Sequence, residues 1–188
     1  WTQESNTTTS AVAQVFAATD EAHLTDEVGT GSGIVVSAQP DPSIASVDVQ
    51  VTLETVYIGT STKTAIVFGR HADASNVYAI RLLPAAHASD AFTLYKRVAG
   101  VLTSLATVDG TPAAGGIVKL EIRDAAKKVF YDAAEILSSA DNALTAAGKA
   151  GLGWGSTFGI GGNIEMDWHF DNFSITEAAA RSFGAIVG

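Results

Sequence analysis

Three carboxylates and a histidine alternate with apolar residues near the end of the chain, and they are the side chains best able to do chemistry. The polar positions are Glu165, Asp167, His169 and Asp171, and the apolar ones are Ile164, Met166, Trp168 and Phe170. Because side chains two apart on a strand share a face, this pattern predicts a half-buried strand with its polar groups outside. Carboxylates on one face are the groups that acid–base chemistry and cation binding use.

A divalent cation is one interpretation of this polar strand face. Oxygen ligands suit calcium, whereas His169 would favour a transition metal. Positions two apart lie about 7 Å from each other along a strand, so loops would have to supply further ligands. The alternative, which the sequence favours, is a solvated outer face without a ligand.

Aromatic and arginine side chains are the candidates for holding a sugar, since an amphipathic ring tolerates partial exposure. The candidate rings are Tyr57, Tyr78, Tyr95, Trp154 and Trp168. Trp168 is in phase with its apolar neighbours and is expected in the core, whereas Tyr95 is out of phase with Phe92 and Leu94. Planar guanidinium groups at strand ends can hold hydroxyls or carboxylates. We therefore predict that the ligand-binding residues are Arg70, Tyr78, Arg81 and Tyr95, the alternatives being core rings and solvated loops.

Other catalytic arrangements find no support in the sequence. No Gly-x-Ser-x-Gly turn is present to carry a nucleophilic serine, and the four histidines are dispersed. The glycine-rich stretch 29–33 is followed by no helical pattern, so it does not predict a dinucleotide site.

Alternation with a period of two recurs along the chain and predicts an all-β sandwich of roughly ten to thirteen strands. The residues expected to face the interior are Val49, Val51, Leu53, Leu120, Ile122, Met166 and Trp168. Ala99-Gly100 is a hairpin signal, and a slip of phase at Asp171-Asn172 predicts a β-bulge. No helical pattern separates the strands, so parallel βαβ units are not expected.

A few segments depart from this strand pattern. Residues 1–10 are polar and threonine-rich and predict an arm or linker, and residues 20–26 read as a polar loop. Residues 138–147 are expected to form a helical turn, with Asp141 as a possible cap. Residues 176–187 predict a short helix or exit arm. The expected organisation is therefore an arm (1–10), one sandwich domain (11–176) and a C-terminal helix or arm (177–188).

Composition limits the classes of partner. The chain has 188 residues, a formal net charge of -9 and a pI of about 4.7. Its eleven basic residues are scattered, which argues against nucleic acid as a partner. No apolar run approaches the ~20 residues that span a bilayer, and no cysteine is present. Because the sequence begins at Trp1, we expect a processed form, a trimmed form or an excised domain.

The order of the predicted strands resembles the concanavalin A-like lectin/glucanase sandwich over about residues 11–176. The matching pieces are Phe16-x-x-x-Asp20-x-x-x-Leu24, the strand 48–53, Phe68-Gly69-Arg70, the strand 76–81, Leu94-Tyr95-Lys96 with Gly100, the strand 118–122, Ala150-Gly151-Leu152 and the run 170–175. The sequence is similar in particular to laminin-G-like modules of bacterial secreted proteins and phage virion proteins. The resemblance implies a jelly roll of two curved antiparallel sheets that often binds glycans, sometimes with calcium.

The same resemblance bears on metal and catalysis. Related sandwiches hold a structural calcium with a carboxylate near the last strand, which implies Asp171 as a metal ligand. Glu165-x-Asp167 resembles the Glu-x-Asp-x-x-Glu motif of endoglucanases with this fold, but the second glutamate position is Phe170. Retaining hydrolysis needs two carboxyl groups, so we expect no catalysis.

We therefore predict a non-catalytic jelly-roll module, located on a virion or outside the cell. Its expected partner is a glycan, or a neighbouring virion or cell-surface protein, and it is a candidate homo-oligomer; nucleic acid and membrane insertion are not expected. Two functions stay open, a lectin-like binder and a structural virion protein such as a decoration or tail component. The further alternatives are a secreted carbohydrate-binding module of a glycan-degrading enzyme and a degenerate glycoside hydrolase.

Overall fold

The chain folds into antiparallel strands. A computed structural model describes residues 5–6, 11–16, 21–26, 33–34, 45–56, 64–73, 75–83, 89–154 and 167–177, and these contain fourteen strands and no helix. The strands are β1 (Ser5–Asn6), β2 (Ala11–Phe16), β3 (Glu21–Asp26), β4 (Gly33–Ile34), β5 (Val47–Thr55), β6 (Ala65–Asp73), β7 (Asn76–Leu82), β8 (Phe92–Val98), β9 (Val101–Val108), β10 (Ile117–Arg123), β11 (Ala126–Tyr131), β12 (Ala134–Ser139), β13 (Lys149–Trp154) and β14 (Asp167–Glu177).

Two sheets pack face to face as a jelly-roll sandwich, as the sequence predicts. The larger sheet has seven strands in the order β12-β11-β10-β5-β14-β3-β2, and the smaller has five in the order β13-β6-β7-β8-β9. All the strand pairs in these sheets are antiparallel. A separate ribbon pairs β1 with β4, so part of the predicted N-terminal arm is hydrogen-bonded to the strand at Gly33–Ile34.

The core between the sheets is built by the alternation that the sequence shows. Of the seven residues predicted to face inward, six are fully buried: Val49, Val51, Leu53, Leu120, Ile122 and Trp168. The seventh, Met166, lies outside the described residues. From the five-stranded sheet, Val67, Ile80 and Leu94 complete the same cluster. Burial of one face of each sheet fixes the register, because a slip of one residue would expose that face.

Backbone conformations at the turns agree with the predicted hairpin and bulge. Ala99 and Gly100 both have positive φ, 49° and 82°, and join β8 to β9. The ladder between β14 and β5 shifts register between Asp171 and Ser174, and Asn172 has φ 50°, which confirms the bulge in the last strand.

Three predicted segments differ from the structure. Residues 138–147 form no helical turn: β12 continues through Ser139, and an irregular loop follows in which the backbone N–H of Ala143 donates to the carboxylate of Asp141. The predicted loop at 20–26 is instead strand β3 over Glu21–Asp26. The predicted C-terminal helix begins too early, because Thr176 and Glu177 belong to β14 and pair with β5. Residues 178–187 lie outside the described part.

Candidate ligand-binding face and rim

The outer face of the five-stranded sheet carries two of the predicted ligand-binding residues. Phe92 and Leu94 of β8 are buried toward the seven-stranded sheet, so Thr93 and Tyr95 lie on the opposite face. The register pairs Thr93 with Arg81 of β7. Arg81 and Tyr95, far apart in sequence, therefore share one face.

Arg81 and Tyr95 are in direct contact on this face. The guanidinium carbon of Arg81 lies 5.2 Å from the centre of the Tyr95 ring, a cation–π geometry. Nη2 of Arg81 donates to the hydroxyl of Thr93 at 3.0 Å. Arg81 is only 5% exposed and Tyr95 is half-buried. The buried arginine thus orients the tyrosine, and the ring is the more accessible of the two.

Exposure changes across the outer face of the five-stranded sheet. A second apolar cluster covers its β6–β7 side, where Ile66, Phe68, Val77 and Ala79 are at most 1% exposed. Toward β8 and β9 the face opens: Tyr95, Arg97 and Leu102 are half-buried and Ser104 is exposed. The open strip centred on Tyr95 is therefore the part of this face that a ligand can reach.

Arg70 takes a structural role at one end of the sandwich. It is 2% exposed and has φ 50°. Its guanidinium donates to the carbonyl oxygens of Ala45 at 2.7 Å and Leu144 at 2.6 Å, and more weakly to that of Asp124 at 3.3 Å. These bonds tie two loops to the segment that precedes β5. The guanidinium of Arg70 is therefore bonded within the fold, whereas the sequence predicts that it binds a ligand.

Tyr78 lies at the same end of the sandwich. We call Arg70, Tyr78, Lys96, Lys127 and Asp141 together the rim cluster. The Tyr78 hydroxyl donates to Oδ1 of Asp141 at 2.5 Å and accepts the backbone N–H of Leu144 at 3.1 Å. The residue is 0% exposed, so its ring offers no face for stacking on a sugar. Tyr78 is a core residue and not an exposed ring for a ligand, because it is in phase with Ile80 and Leu82.

Lys127 is the most deeply buried cation of the rim cluster. It is 0% exposed, its ammonium lies 4.7 Å from the centre of the Tyr78 ring, and it donates to the carbonyl oxygens of Asp124 and of Asp141, the latter at 2.8 Å. The carboxylate of Asp141 forms an ion pair with Lys96. Four side chains from four strands therefore hold the loop between β12 and β13.

Titration of the rim cluster reflects this burial. Desolvation by burial, followed by the neighbouring Arg70 charge, lowers the pKa of Lys127 to about 8. Burial, helped by the hydrogen bond to Asp141, raises the pKa of Tyr78 to about 12. Burial alone would raise the pKa of Asp141, but bonds from Lys96 and Tyr78 outweigh it and lower that pKa to about 2.

The last strand places its polar face outside the seven-stranded sheet. Trp168 and Phe170 are 0% exposed, whereas His169 and Asp171 are half-buried on the opposite face. The carboxylate of Asp171 accepts the backbone N–H of Asn172 at 2.6 Å and its side-chain amide at 3.1 Å. Among the side chains that the structure describes, no three acidic, histidine or cysteine residues converge on a metal position. Calcium at Asp171 stays a prediction.

The four predicted ligand residues thus separate into two pairs. The structure brings Arg81 and Tyr95 together on the outer face, and it places Arg70 and Tyr78 in the buried rim cluster. Sequence reasoning missed Lys127 and the true partners of Asp141, which come from strands far apart in the chain. Tyr57 and the side chain of Trp154 lie outside the described part of the molecule.

Comparisons of the sequence with known proteins identify no relative. No protein-family profile matches the chain, and no characterised protein matches it by sequence at a significant level. Among the parts of the chain that the structure describes, no helix is long and apolar enough to cross a membrane.

Several solved structures are similar in fold, among them the following two. Carbohydrate-binding module CBM66 from Bacillus subtilis superposes with a TM-score of 0.53 at 14% identity, over 89% of this chain and 92% of the module. Domains LG4-5 of the mouse laminin alpha1 chain give 0.55 at 12% identity over 88% of this chain, which spans 44% of that two-domain structure. Both neighbours are concanavalin A-like sandwiches, and this chain has the same concanavalin A-like, laminin-G-like jelly-roll fold.

Proposed function

We propose that this chain is a non-catalytic binding module that takes a glycan on the open strip of the five-stranded sheet. The observation that carries the proposal is the half-buried Tyr95 ring, which buried Arg81 holds by a cation–π contact of 5.2 Å. A ring fixed before binding loses little conformational freedom when a sugar stacks on it. Arg97 and Ser104 flank the ring with groups that can bond to hydroxyls. The similarity to a carbohydrate-binding module supports this choice of ligand class.

Absence of catalysis is part of the proposal. Phe170 stands where the related hydrolase motif has its second carboxylate, and it is fully buried toward the core. A two-carboxylate hydrolysis would therefore lack one partner on this strand.

A glycan array followed by titration calorimetry on the best glycan would test the proposal. Tyr95→Ala should weaken binding by about 1–3 kcal/mol, the scale that alanine substitution gives for a nucleic-acid base stacked on an aromatic side chain. Phe130→Ala is the matched control, because Phe130 is also half-buried beneath a cation, Lys119 at 4.3 Å, but lies on the other sheet. Equal binding by both variants, or hydrolysis of the bound glycan, would contradict the proposal.

A second candidate function, assembly with a neighbouring virion or cell-surface protein, is favoured by the edge of the five-stranded sheet. Edge strand β9 contains no charged residue, and Val101 at its hairpin end is 67% exposed. Uncharged edge strands are ready surfaces for another chain. If this edge mediates assembly, Val101→Lys should reduce the mass measured by light scattering. Ile117→Lys, which changes the second large apolar side chain that is exposed among the described residues, should not. A chain that is monomeric before any substitution would reject self-assembly through this edge.

A further inference from the structure

The edge of the five-stranded sheet is regular next to the β8–β9 hairpin. Among the strands that the structure describes, β9 is the last on this side of the sheet, and three of its residues 101–104 are exposed. Farther along, the ladder to β8 shifts register and skips Leu105, and such a bulge blunts an edge against another strand. The part of the edge that can accept a further strand is therefore residues 101–104.

Alternate residues of this edge turn their backbone groups outward. Val98 and Val101 close the two-residue hairpin, and Leu102 and Ser104 lie one and three positions after Val101. The pair that closes such a hairpin is hydrogen-bonded, and bonded and non-bonded pairs alternate along an antiparallel ladder. The N–H and C=O groups of Leu102 and Ser104 therefore point away from β8, where an added strand would bond to them.

Arg97 lies directly behind this edge, between Val77 of β7 and Leu102 of β9. It is half-buried, and its Nε donates to the carbonyl oxygen of Gly100 at 3.2 Å, which holds the guanidinium at the hairpin. Both flanking residues are apolar, and among the described residues no carboxylate pairs with Arg97, although the chain has 20 acidic and 11 basic residues. Four other cations each pair with a carboxylate: Lys96, Lys119, Arg123 and Lys128. Arg97 is therefore a cation whose charge this part of the fold leaves for a partner.

Charge decides which strand fits this edge. A second copy of β9 would bring no acidic group to Arg97, because β9 contains no charged residue. A different strand added beside β9 lies about 10 Å from β8, a distance that an arginine and a glutamate side chain can span together. The next residue of the added strand would point to the other face, beside Val101, which is 67% exposed.

We propose that residues 101–104 receive an extended segment of another protein, with a glutamate opposite Leu102 and an apolar residue opposite Val101. Main-chain hydrogen bonds to the edge supply affinity in this mode of recognition, and side chains supply specificity. Arg97 selects the acidic residue, since its fork of N–H donors matches a carboxylate. The inference rests on the second candidate function, assembly through the β9 edge, and names the chemistry of its partner.

Two-dimensional NMR titration of the labelled full chain with capped, threonine-rich hexapeptides tests the inference. Each peptide has a valine beside one central residue, which is glutamate, glutamine or lysine. The amide signals of Leu102 and Ser104 should shift, and the glutamate peptide should bind about fivefold more tightly than the glutamine peptide, the scale of a strong exposed ion pair. The lysine peptide should bind most weakly, and the preference for glutamate should shrink in about 1 M salt.

Matched substitutions separate charge from backbone pairing. Arg97→Gln should abolish the preference for glutamate, whereas Arg123→Gln, which removes an arginine of the other sheet, should keep it. Ser104→Pro removes an N–H that faces the edge and should weaken binding of every peptide, whereas Ser104→Ala should not. Melting curves show whether each variant folds; if Ser104→Pro does not, the shifted signals of the parent chain locate the site.

The outcomes distinguish this inference from the function on which it rests. Peptides that bind at the edge without regard to charge overturn the role of Arg97 and leave assembly through β9 standing. Peptides that shift other amide signals, or that do not bind, overturn the inference as well. Assembly through this edge then stands only if Val101→Lys still lowers the mass measured by light scattering.

Discussion

Two buried cations, Lys127 and Arg70, donate to backbone carbonyl oxygens. Lys127 bonds two of them and Arg70 bonds three, so each charge holds a turn or a loop in place. An isolated buried charge is costly, and charge-assisted bonds to carbonyls offset part of that cost. The rim cluster is therefore a stabilising device whose strength depends on protonation.

Lys127 should make the protein more stable as the pH rises above 8. The pKa of its ammonium is lowered to about 8 in the fold, from an ordinary value of 10.5. Between these values the unfolded chain binds more protons, so the free energy of unfolding rises with pH, by at most about 1.4 kcal/mol per pH unit. The neutral amine keeps two N–H donors for the carbonyls of Asp124 and Asp141. The other groups facing it are Arg70, Tyr78 and the carboxylates of Asp124 and Asp141, and Tyr78 begins to oppose the effect near pH 10.

Urea unfolding between about pH 7.5 and 9.5 measures this contribution. The parent chain should gain stability relative to Lys127→Met across that range. Lys128→Met removes an exposed neighbour that pairs with Glu135, and it should follow the parent chain. Parallel curves for the parent chain and Lys127→Met would show that Lys127 does not titrate there.

At the scale of single residues, some positions were predictable from the sequence and others were not. Burial of Trp168 followed from its phase, and the outward position of Tyr95 followed from its mismatch with Phe92 and Leu94. The burial of Arg70 did not, because its three acceptors lie 25 to 74 residues away in the chain. The pairing of β3 with β14 is likewise a product of strand order, which alternation does not specify.

Elements were predicted best where the period of two was long. β5, β10 and β14 have at least seven residues each, and their inward positions were predicted correctly. β3 was missed although Glu21, His23 and Thr25 alternate with Ala22 and Leu24, because charged residues at both ends suggested a loop. The loop after β12 was predicted as a helical turn with Asp141 as its cap. In the structure Tyr78 and Lys127 fix it instead, which is a tertiary effect that local propensity cannot represent.

The β8–β9 hairpin offers a test of turn chemistry. Ala99 has φ 49° and Gly100 has φ 82°, the conformation of a two-residue hairpin turn that favours asparagine followed by glycine. A left-handed conformation costs an alanine roughly 1–2 kcal/mol, and asparagine tolerates it better. Ala99→Asn should therefore stabilise the protein by about 0.5 kcal/mol, or about 1–2 °C in melting temperature.

A substitution with the opposite expected effect, at the neighbouring position, is the control for this hairpin. Gly100→Ala places a Cβ at positive φ, where the space is open but the backbone is strained, and it should destabilise the protein by about 1 kcal/mol. Thermal unfolding followed by far-UV circular dichroism measures both variants. Destabilisation by Ala99→Asn would mean that another contact at Ala99, such as its N–H bond to Asn76, dominates the turn.

At the scale of the whole molecule, two sheets share one core and the last strand joins both halves of the larger sheet. β14 pairs with β3 on one side and β5 on the other, so its loss would divide the seven-stranded sheet. The strand ends at Glu177, and every described pairing of β14 lies at or before that residue. The sandwich therefore needs the chain up to Glu177.

Residues 178–188 carry Phe183, Ile186 and Val187 beyond that last pairing. Apolar groups that a domain leaves exposed usually mark an interaction site. Because the strand pairings do not require this tail, we expect it to dock on a neighbouring subunit or a larger assembly. Deleting residues 178–188 should leave the far-UV spectrum and cooperative unfolding unchanged and lower the mass found by light scattering. A truncated chain that fails to fold would assign the tail to the core, since the strand pairings themselves remain complete. An unchanged mass in a folded truncated chain, where the full chain self-associates, would instead move the interface to the open edge at β9.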